Sequence, residues 1–311
     1  MPLIEGVMVS PRGIRFVAWA GIALGVLAAG CAERYPSPVP IDHELALKIR
    51  KDLGDAGAAA GATAESTAPA GTGWATLKGV FKYDGPPPAM KLLTVDKDVE
   101  VCSRGGHQMF DRALEVDSAT GGIKNVLLYV RKTKRVHESA QAAPAREILF
   151  DQAKCEFLNR LTIIQVGQTL KIKNSDPVGH NTNITGKASA GANLTIPAGE
   201  SGSFKPTAEE SLPQLVTCNI HPWMKAYWIP RKNAYCAVTQ ADGSFEIANL
   251  PAGEDVEFQV WHEAATGAQG ALALDNKDLK WNTKGRFTVR LAEDETRELD
   301  LTVPAAALGG G

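Results

Sequence analysis

Three side chains that bind transition metals fall within one short run: Cys218, His221 and Met224 in Thr-Cys-Asn-Ile-His-Pro-Trp-Met, with His180 38 positions before Cys218 in Asn-Ser-Asp-Pro-Val-Gly-His-Asn. If these four are to meet, the end of one extended segment must lie beside the start of another. Cys218 closes a β-rich run, residues 212–216, so the residues after it can form one tight loop that carries a second and a third donor back beside the first. His180 then arrives from a separate strand end, fed by the apolar stretch 161–172 and Asn174. A thiolate, two imidazoles and a thioether suit copper. Soft sulfur stabilises Cu(I), imidazole tolerates Cu(II), and an imposed geometry between their preferences lets an electron move with little rearrangement. Singly, a buried Cys or a hydrogen-bonded His is an ordinary core feature; it is the upstream His-Asn that makes the combination specific.

Positions 174–181 and 217–224 resemble the cupredoxins, and the short Cys-x-x-His-x-x-Met loop is most similar to that of the amicyanins. The resemblance implies a Greek-key β-sandwich with one type 1 copper at its end, ligated by His180, Cys218, His221 and Met224. It implies that Asn181 ties the two ligand loops together. Amicyanin-like loops usually place Pro two positions after the Cys, whereas this chain has Ile220, whose N–H is then available as a second donor to the Cys218 sulfur. The resemblance further implies that the edge of His221 reaches the surface, with Pro222 and Trp223 beside it as a docking rim for redox protein partners, a cytochrome or an oxidoreductase.

Arg12 and Arg15 precede an apolar stretch, residues 16–29, that ends Leu-Ala-Ala-Gly before Cys31. A positive region, a short apolar region and small residues before a cut form a secretory signal, too short to span a membrane comfortably. Leu-Ala-Ala-Gly-Cys resembles the bacterial lipobox, which implies cleavage after residue 30 and lipidation of Cys31. Acyl chains there would anchor the protein firmly to a membrane. Ala32, in place of a retaining Asp, favours the outer membrane, so the expected location is periplasmic or cell-surface. Met1 and Met8 both stand as starts, since residues 1–7 add nothing to the signal.

With Cys31 assigned to lipid and Cys218 to metal, Cys102, Cys155 and Cys236 remain of the five cysteines. An oxidising compartment permits a disulfide. Cys102 and Cys155, both upstream of the metal motif, form the natural pair, and closing that loop contributes roughly 4 kcal/mol in the chain-entropy treatment. Cys236 reads as a buried free thiol, with pairings that involve it left open.

Residues 31–73 read as a lipid-anchored tether: a short helix over 41–53, then Ala, Gly, Thr, Ser and Pro through 54–73, too simple to build a core. Beyond it the chain reads as all-β. Residues 74–232 are expected to hold the cupredoxin domain with an N-terminal elaboration; whether 75–145 stands apart is open. Strands are expected at 75–83, 113–116 and 126–130, with the Asp-Gly-Pro-Pro-Pro run at 84–88 ending the first. Lys132, Lys134 and Arg135 read as a solvated loop. Residues 237–239 and 245–247 flank Ala-Asp-Gly-Ser, a hairpin signal. The surrounding run Thr-x-x-Asp-Gly-x-Phe-x-Ile-x-x-Leu-Pro-Ala-Gly is similar to the carboxypeptidase regulatory-like, or transthyretin-like, β-sandwich, covering residues 234–304 and implying a binding or scaffolding role. Trp261-His262-Glu263 reads as structural, and Cys102-x₄-His107 is a weak metal pattern.

A formal net charge of −2 argues against nucleic acid as a partner. No His-x-His occurs among the six histidines, and Thr217 and Asn219 flank Cys218 where a wired multicopper centre would place His. Four protein ligands leave no open position for substrate, and no nucleophile motif stands out. The expected role is therefore non-enzymatic electron transfer. A copper-delivery lipoprotein and a structural surface lipoprotein are the competing readings.

Overall fold

In the computed structural model, residues 71–141 and 145–309 are described. The lipobox with Cys31, the signal, the helix over 41–53 and the tether up to residue 70 lie outside them. The described part is all-β, with sixteen strands in four sheets and only one-turn helices. Among the described residues no helix is long and apolar enough to cross a membrane.

The first strands of the middle region are β3 (Ile148–Ala153), β4 (Glu156–Phe157), β5 (Leu161–Gln165) and β6 (Leu170–Asn174). They are followed by β7 (His180–Ile184), β8 (Ala192–Ile196), β9 (Ser201–Phe204), β10 (Gln214–Thr217) and β11 (Lys225–Arg231). They form two sheets, ordered β4-β3-β6-β9 and β5-β11-β10-β7-β8. Inward residues from both sheets make one core, including Phe150, Ile172, Ile184, Val216 and Trp228, all buried. The Phe150 and Trp228 rings meet edge to face at 4.9 Å across it. This sandwich carries the metal motif.

The second sandwich has a different membership from the one expected from the sequence. It contains β12 (Cys236–Val238), β13 (Ser244–Pro251), β14 (Asp255–Trp261), β15 (Arg286–Arg290) and β16 (Thr296–Pro304), all within residues 234–304. It also contains β1 (Trp74–Asp84) and β2 (Leu127–Lys132), which were expected to belong with the metal motif. β1 lies between β13 and β16, antiparallel to one and parallel to the other, and β2 lies between β12 and β14. Leu77 and Phe81 of β1 and Leu128 and Val130 of β2 are buried with Phe245, Phe258, Phe287 and Leu301 in one core. The strands carrying the metal motif are thus inserted between β2 and β12. Alternating apolar residues fix a strand's faces but not its partner, so the sequence showed β1 and β2 as strands without showing where they pair. Residues 113–116 contribute only an isolated bridge, Val116 to Ile123.

The Asp242-Gly243 turn forms, with the Gly243 N–H donating to the Gln240 carbonyl, but β12 and β13 then part into opposite sheets and do not pair as a hairpin. Gly243 is required twice over. Its φ is +81°, and a Cβ there would sit 2.3 Å from the Phe81 carbonyl oxygen.

Leu127, Tyr129, Leu161, Ile229 and Trp261 form a third core between the two sandwiches. Polar groups cross the same boundary. Arg231 donates to the carbonyls of Val130 at 2.7 Å and Glu210 at 2.9 Å, and lies over the Tyr129 ring. Arg160 makes a two-pronged pair with Glu263, both bonds 2.6 Å. His262 beside it is a structural residue: Nδ1 accepts from the Ala264 N–H, Nε2 donates to the Lys124 carbonyl, and burial holds its pKa down at about 4. Arg135, expected to be solvated, instead donates to the carbonyls of Gly73 and Ala252 and covers the Trp74 ring.

The Glu263 side chain is 3 % exposed, so removing it strands the Arg160 guanidinium away from water. Glu263→Ala should lower unfolding stability by about 3–5 kcal/mol, measured as a fall in the urea midpoint. A cost near that of a surface substitution would show that this pair does not hold the two sandwiches together.

Candidate metal centre

Strand order decides which residues meet. β7 and β10 are antiparallel neighbours, with Ile184 opposite Val216 and Asn183 opposite Thr217. The start of one therefore lies beside the end of the other. His180 opens β7 and Cys218 follows β10, so both stand at the same pole. The loop from Cys218 to Met224 closes on itself: the Cys218 N–H donates to the Met224 carbonyl at 3.2 Å, and the Met224 N–H to the His221 carbonyl at 3.0 Å.

His180 Nδ1 and His221 Nδ1 face each other at 2.9 Å, and Cys218 Sγ lies 3.8 Å from His221 Nδ1. The three residues are at most 1 % exposed, as is Met224, and their donor atoms lie within 4.8 Å of one another. Asn181 clasps the two loops. Its Oδ1 accepts the Asn219 N–H at 2.7 Å and its own N–H donates to the Cys218 sulfur at 3.5 Å. The second donor to that sulfur is the His221 N–H at 3.4 Å, not Ile220 as expected, because the turn presents the amide one residue further along. His221 is also fully buried, contrary to the expected exposed edge; Ile220 and Pro222 on either side of it are open to solvent, as is Asn219, with Trp223 half-buried. The Trp223 indole donates to the Cys155 carbonyl at 3.0 Å, and its ring is 5.3 Å from that of His221.

Two carboxylates that the sequence did not single out hold the outer nitrogens. His180 Nε2 is 2.8 Å from Asp176 Oδ2, and His221 Nε2 is 2.8 Å from Asp98 Oδ2. Asp176 is itself fixed by the N–H groups of Lys154 and Cys155, both in the left-handed region, which together cradle the carboxylate. Asn174 supports the same loop, donating to the carbonyls of Val178, Ile196 and Pro197 and accepting from the Asp176 N–H. Asp98 precedes α1 (Val99–Cys102), whose last residue is joined by a disulfide to Cys155. Asp176 was within reach of sequence reasoning, four residues before His180. Asp98 lies 123 residues from His221, and nothing local marks it.

His107 lies apart, 3.4 Å from Glu156. Cys236 is a free, half-buried cysteine whose thiol burial pushes up to about 12. An open cavity of about 830 Å³ is lined by Lys78, Cys236, Phe245, Glu246, Glu298 and Asp300, and not by His180, Cys218, His221 or Met224.

Electrostatics prepares the site for a cation. Burial pushes the Cys218 thiol up, but the His180 side chain and the N–H groups of Asn181 and His221 outweigh it and bring the thiol down to about 6. Burial likewise disfavours a charged His180, yet Asp176 and the Cys218 sulfur lift it to about 9. Between these values the pair favours a thiolate beside an imidazolium, so the proton on His180 competes with any cation for the same donors. The donors fit a soft or borderline transition metal: one thiolate, two imidazole nitrogens and a buried thioether residue closing the loop. The fold and site define an all-β protein with a buried Cys-His-His centre.

No protein-family model matches the chain, and no curated protein matches it. Solved structures that resemble part of it include a Cu-containing nitrite reductase and amicyanins. The Cu-containing nitrite reductase (NirK) from Thermus scotoductus SA-01 is 19% identical across 31% of this chain and 25% of its own, with a TM-score of 0.26. A reduced Cu(I) form of an amicyanin mutant at pH 4 is 20% identical across 33% of this chain and 98% of its own, with a TM-score of 0.25. An oxidized amicyanin mutant is 18% identical over the same shares, with a TM-score of 0.25. These likenesses reach about a third of the chain, and the chemistry of the centre rests on its own geometry.

A metal ion must displace the proton on His180, while Cys218 is already a thiolate above pH 6 or so. Apparent Cu(II) affinity should therefore rise about tenfold per pH unit from pH 7 and level off near pH 9. Competition against a chelator of known pH dependence measures it. A flat profile would show that no proton is held between the donors.

Proposed function

We propose that this chain is a membrane-anchored type 1 copper protein, cupredoxin-like at its metal pole, that carries single electrons between redox partners outside the inner membrane. The observation that carries the reading is the buried convergence of His180 Nδ1, His221 Nδ1 and Cys218 Sγ at the end of a β-sandwich. Copper, when bound, supplies a one-electron couple. The chain supplies the rest. His180, His221 and Cys218 would hold the ion, with Met224 as the fourth ligand. The N–H groups of Asn181 and His221 withdraw charge from the thiolate, and the strand ends keep the donors from rearranging.

A carrier and not an enzyme is the reading because all four ligands come from protein and no open position is left for substrate. Burial of every donor also favours retention over delivery, since a copper donor protein needs its ligands within reach of the acceptor. The partner would dock on exposed Pro222 and half-buried Trp223, the latter beside His221. Arg12, Arg15 and the Leu-Ala-Ala-Gly-Cys31 run support a lipid anchor at a periplasmic or cell-surface membrane, and residues 234–304 with β1 and β2 support a carboxypeptidase regulatory-like scaffold.

Purified protein should bind one copper and be intensely blue when oxidised, through sulfur-to-copper charge transfer, and Cys218→Ala should abolish the colour. A colourless copper-loaded wild type, or a blue variant, would contradict the reading. Cys31→Ser should release the protein from membranes and eliminate labelling by a fatty-acid analogue; label that persists would place the anchor elsewhere.

A further inference from the structure

Each metal-facing imidazole has a carboxylate behind it. His180 and His221 turn Nδ1 inward, toward each other and Cys218, and turn Nε2 outward onto Asp176 and Asp98 at the same 2.8 Å. The Asp98 contact is the unexpected one. It comes from a segment remote in sequence, with Asp98 itself in the left-handed region at φ 46°, and it meets the outer nitrogen of a fully buried imidazole. This position is secured covalently. Cys102 ends the helix that Asp98 precedes, and its disulfide partner Cys155 donates its N–H to Asp176. One covalent link therefore ties the segment behind His221 to the turn behind His180.

We propose that Asp98 is a positioning residue for the metal centre: it fixes His221 with Nε2 protonated and Nδ1 free to bind, and its negative charge stabilises the more positive oxidation state of the ion. The inference rests on the copper reading for its redox half and on this chain's geometry alone for its positioning half. The physical basis is general. A carboxylate accepting the remote N–H of a ligating histidine sets its tautomer and strengthens it as a donor, and an anion beside a metal favours the form with more positive charge. Asp176 does the same for His180. It also anchors the Lys154–Cys155 turn, so changing it disturbs backbone as well as charge. Asp98 is the cleaner test because its side chain is 42% exposed and its hydrogen bond to His221 is the interaction at stake. That exposure also means solvent screens its charge, which limits the size of the effect.

The variant is Asp98→Asn, which keeps size and an acceptor oxygen while removing charge, with Asp98→Ala removing both. In the copper-loaded full chain, Asp98→Asn should keep the charge-transfer band and shift the Cu(I)/Cu(II) preference toward Cu(I) by roughly tenfold, equal to about 59 mV for one electron. Asp98→Ala should shift it in the same direction. An unchanged potential in both, with copper retained, overturns the electrostatic role, because a merely structural residue would alter stability and not this ratio.

The second measurement uses metal-free protein and nitrogen NMR of the histidine side chains. Wild type should show a protected Nε2–H on His221, lost or in fast exchange with water in Asp98→Ala. The same His221 signal in both proteins overturns the positioning role. If wild type binds no copper, the copper reading fails by itself, and the NMR comparison alone then decides whether Asp98 positions His221.

Discussion

The metal pole depends on the antiparallel pairing of β7 with β10. That register puts the first residue of one strand beside the last residue of the other, so His180 and Cys218 become neighbours although 38 positions separate them. The loop after β10 then has only to close on itself to bring His221 into the same space. Asn181, the residue after His180, bonds across to the Asn219 N–H and the Cys218 sulfur, so the pairing of the strands continues into the site as side-chain contacts. A slip of one residue would turn His180 away from the pole and break the clasp with it.

Around this register the remaining structure acts as support at increasing distance. The Asn174 amide and the Lys154–Cys155 turn hold Asp176, and Asp176 holds His180. The disulfide brings the Asp98 segment across to His221. Further out, the site-bearing sandwich is fused to the second by a shared apolar seam and by two buried arginines, Arg160 and Arg231, whose hydrogen bonds cross it. The second sandwich takes strands from both ends of the described chain, so the site-bearing strands are closed off by pairing of β1 with β16. Under the proposed electron-transfer role, such a frame would keep the ligand loops rigid and reduce the rearrangement between oxidation states.

What the sequence made legible follows from how local each signal is. The four candidate ligands were readable because three sit in one loop and the fourth is followed by an Asn in a β-rich context. Apolar spacing marked β1 and β2 as strands, and Leu77 and Phe81 of β1 fall on one buried face. Pairing was not legible: nothing in residues 74–84 says that their neighbours are residues 244–251 and 296–304. The Asp-Gly turn predicted a hairpin because most such turns join paired strands, whereas here the chain crosses between sheets. At the site the same limit applied. Asp176 lies in the motif's own neighbourhood, while Asp98 reaches His221 only through the tertiary fold, where the imidazole expected at the surface is buried.

The central claim is that Cys218, His180 and His221 hold one copper ion together. X-ray absorption at the copper edge of the loaded full chain tests it most directly, because it counts sulfur and imidazole neighbours without relying on colour. The account predicts one short copper–sulfur distance and two imidazole nitrogens in the wild type, and no short copper–sulfur distance in Cys218→Ser. Copper surrounded by oxygen and nitrogen alone in the wild type would contradict it.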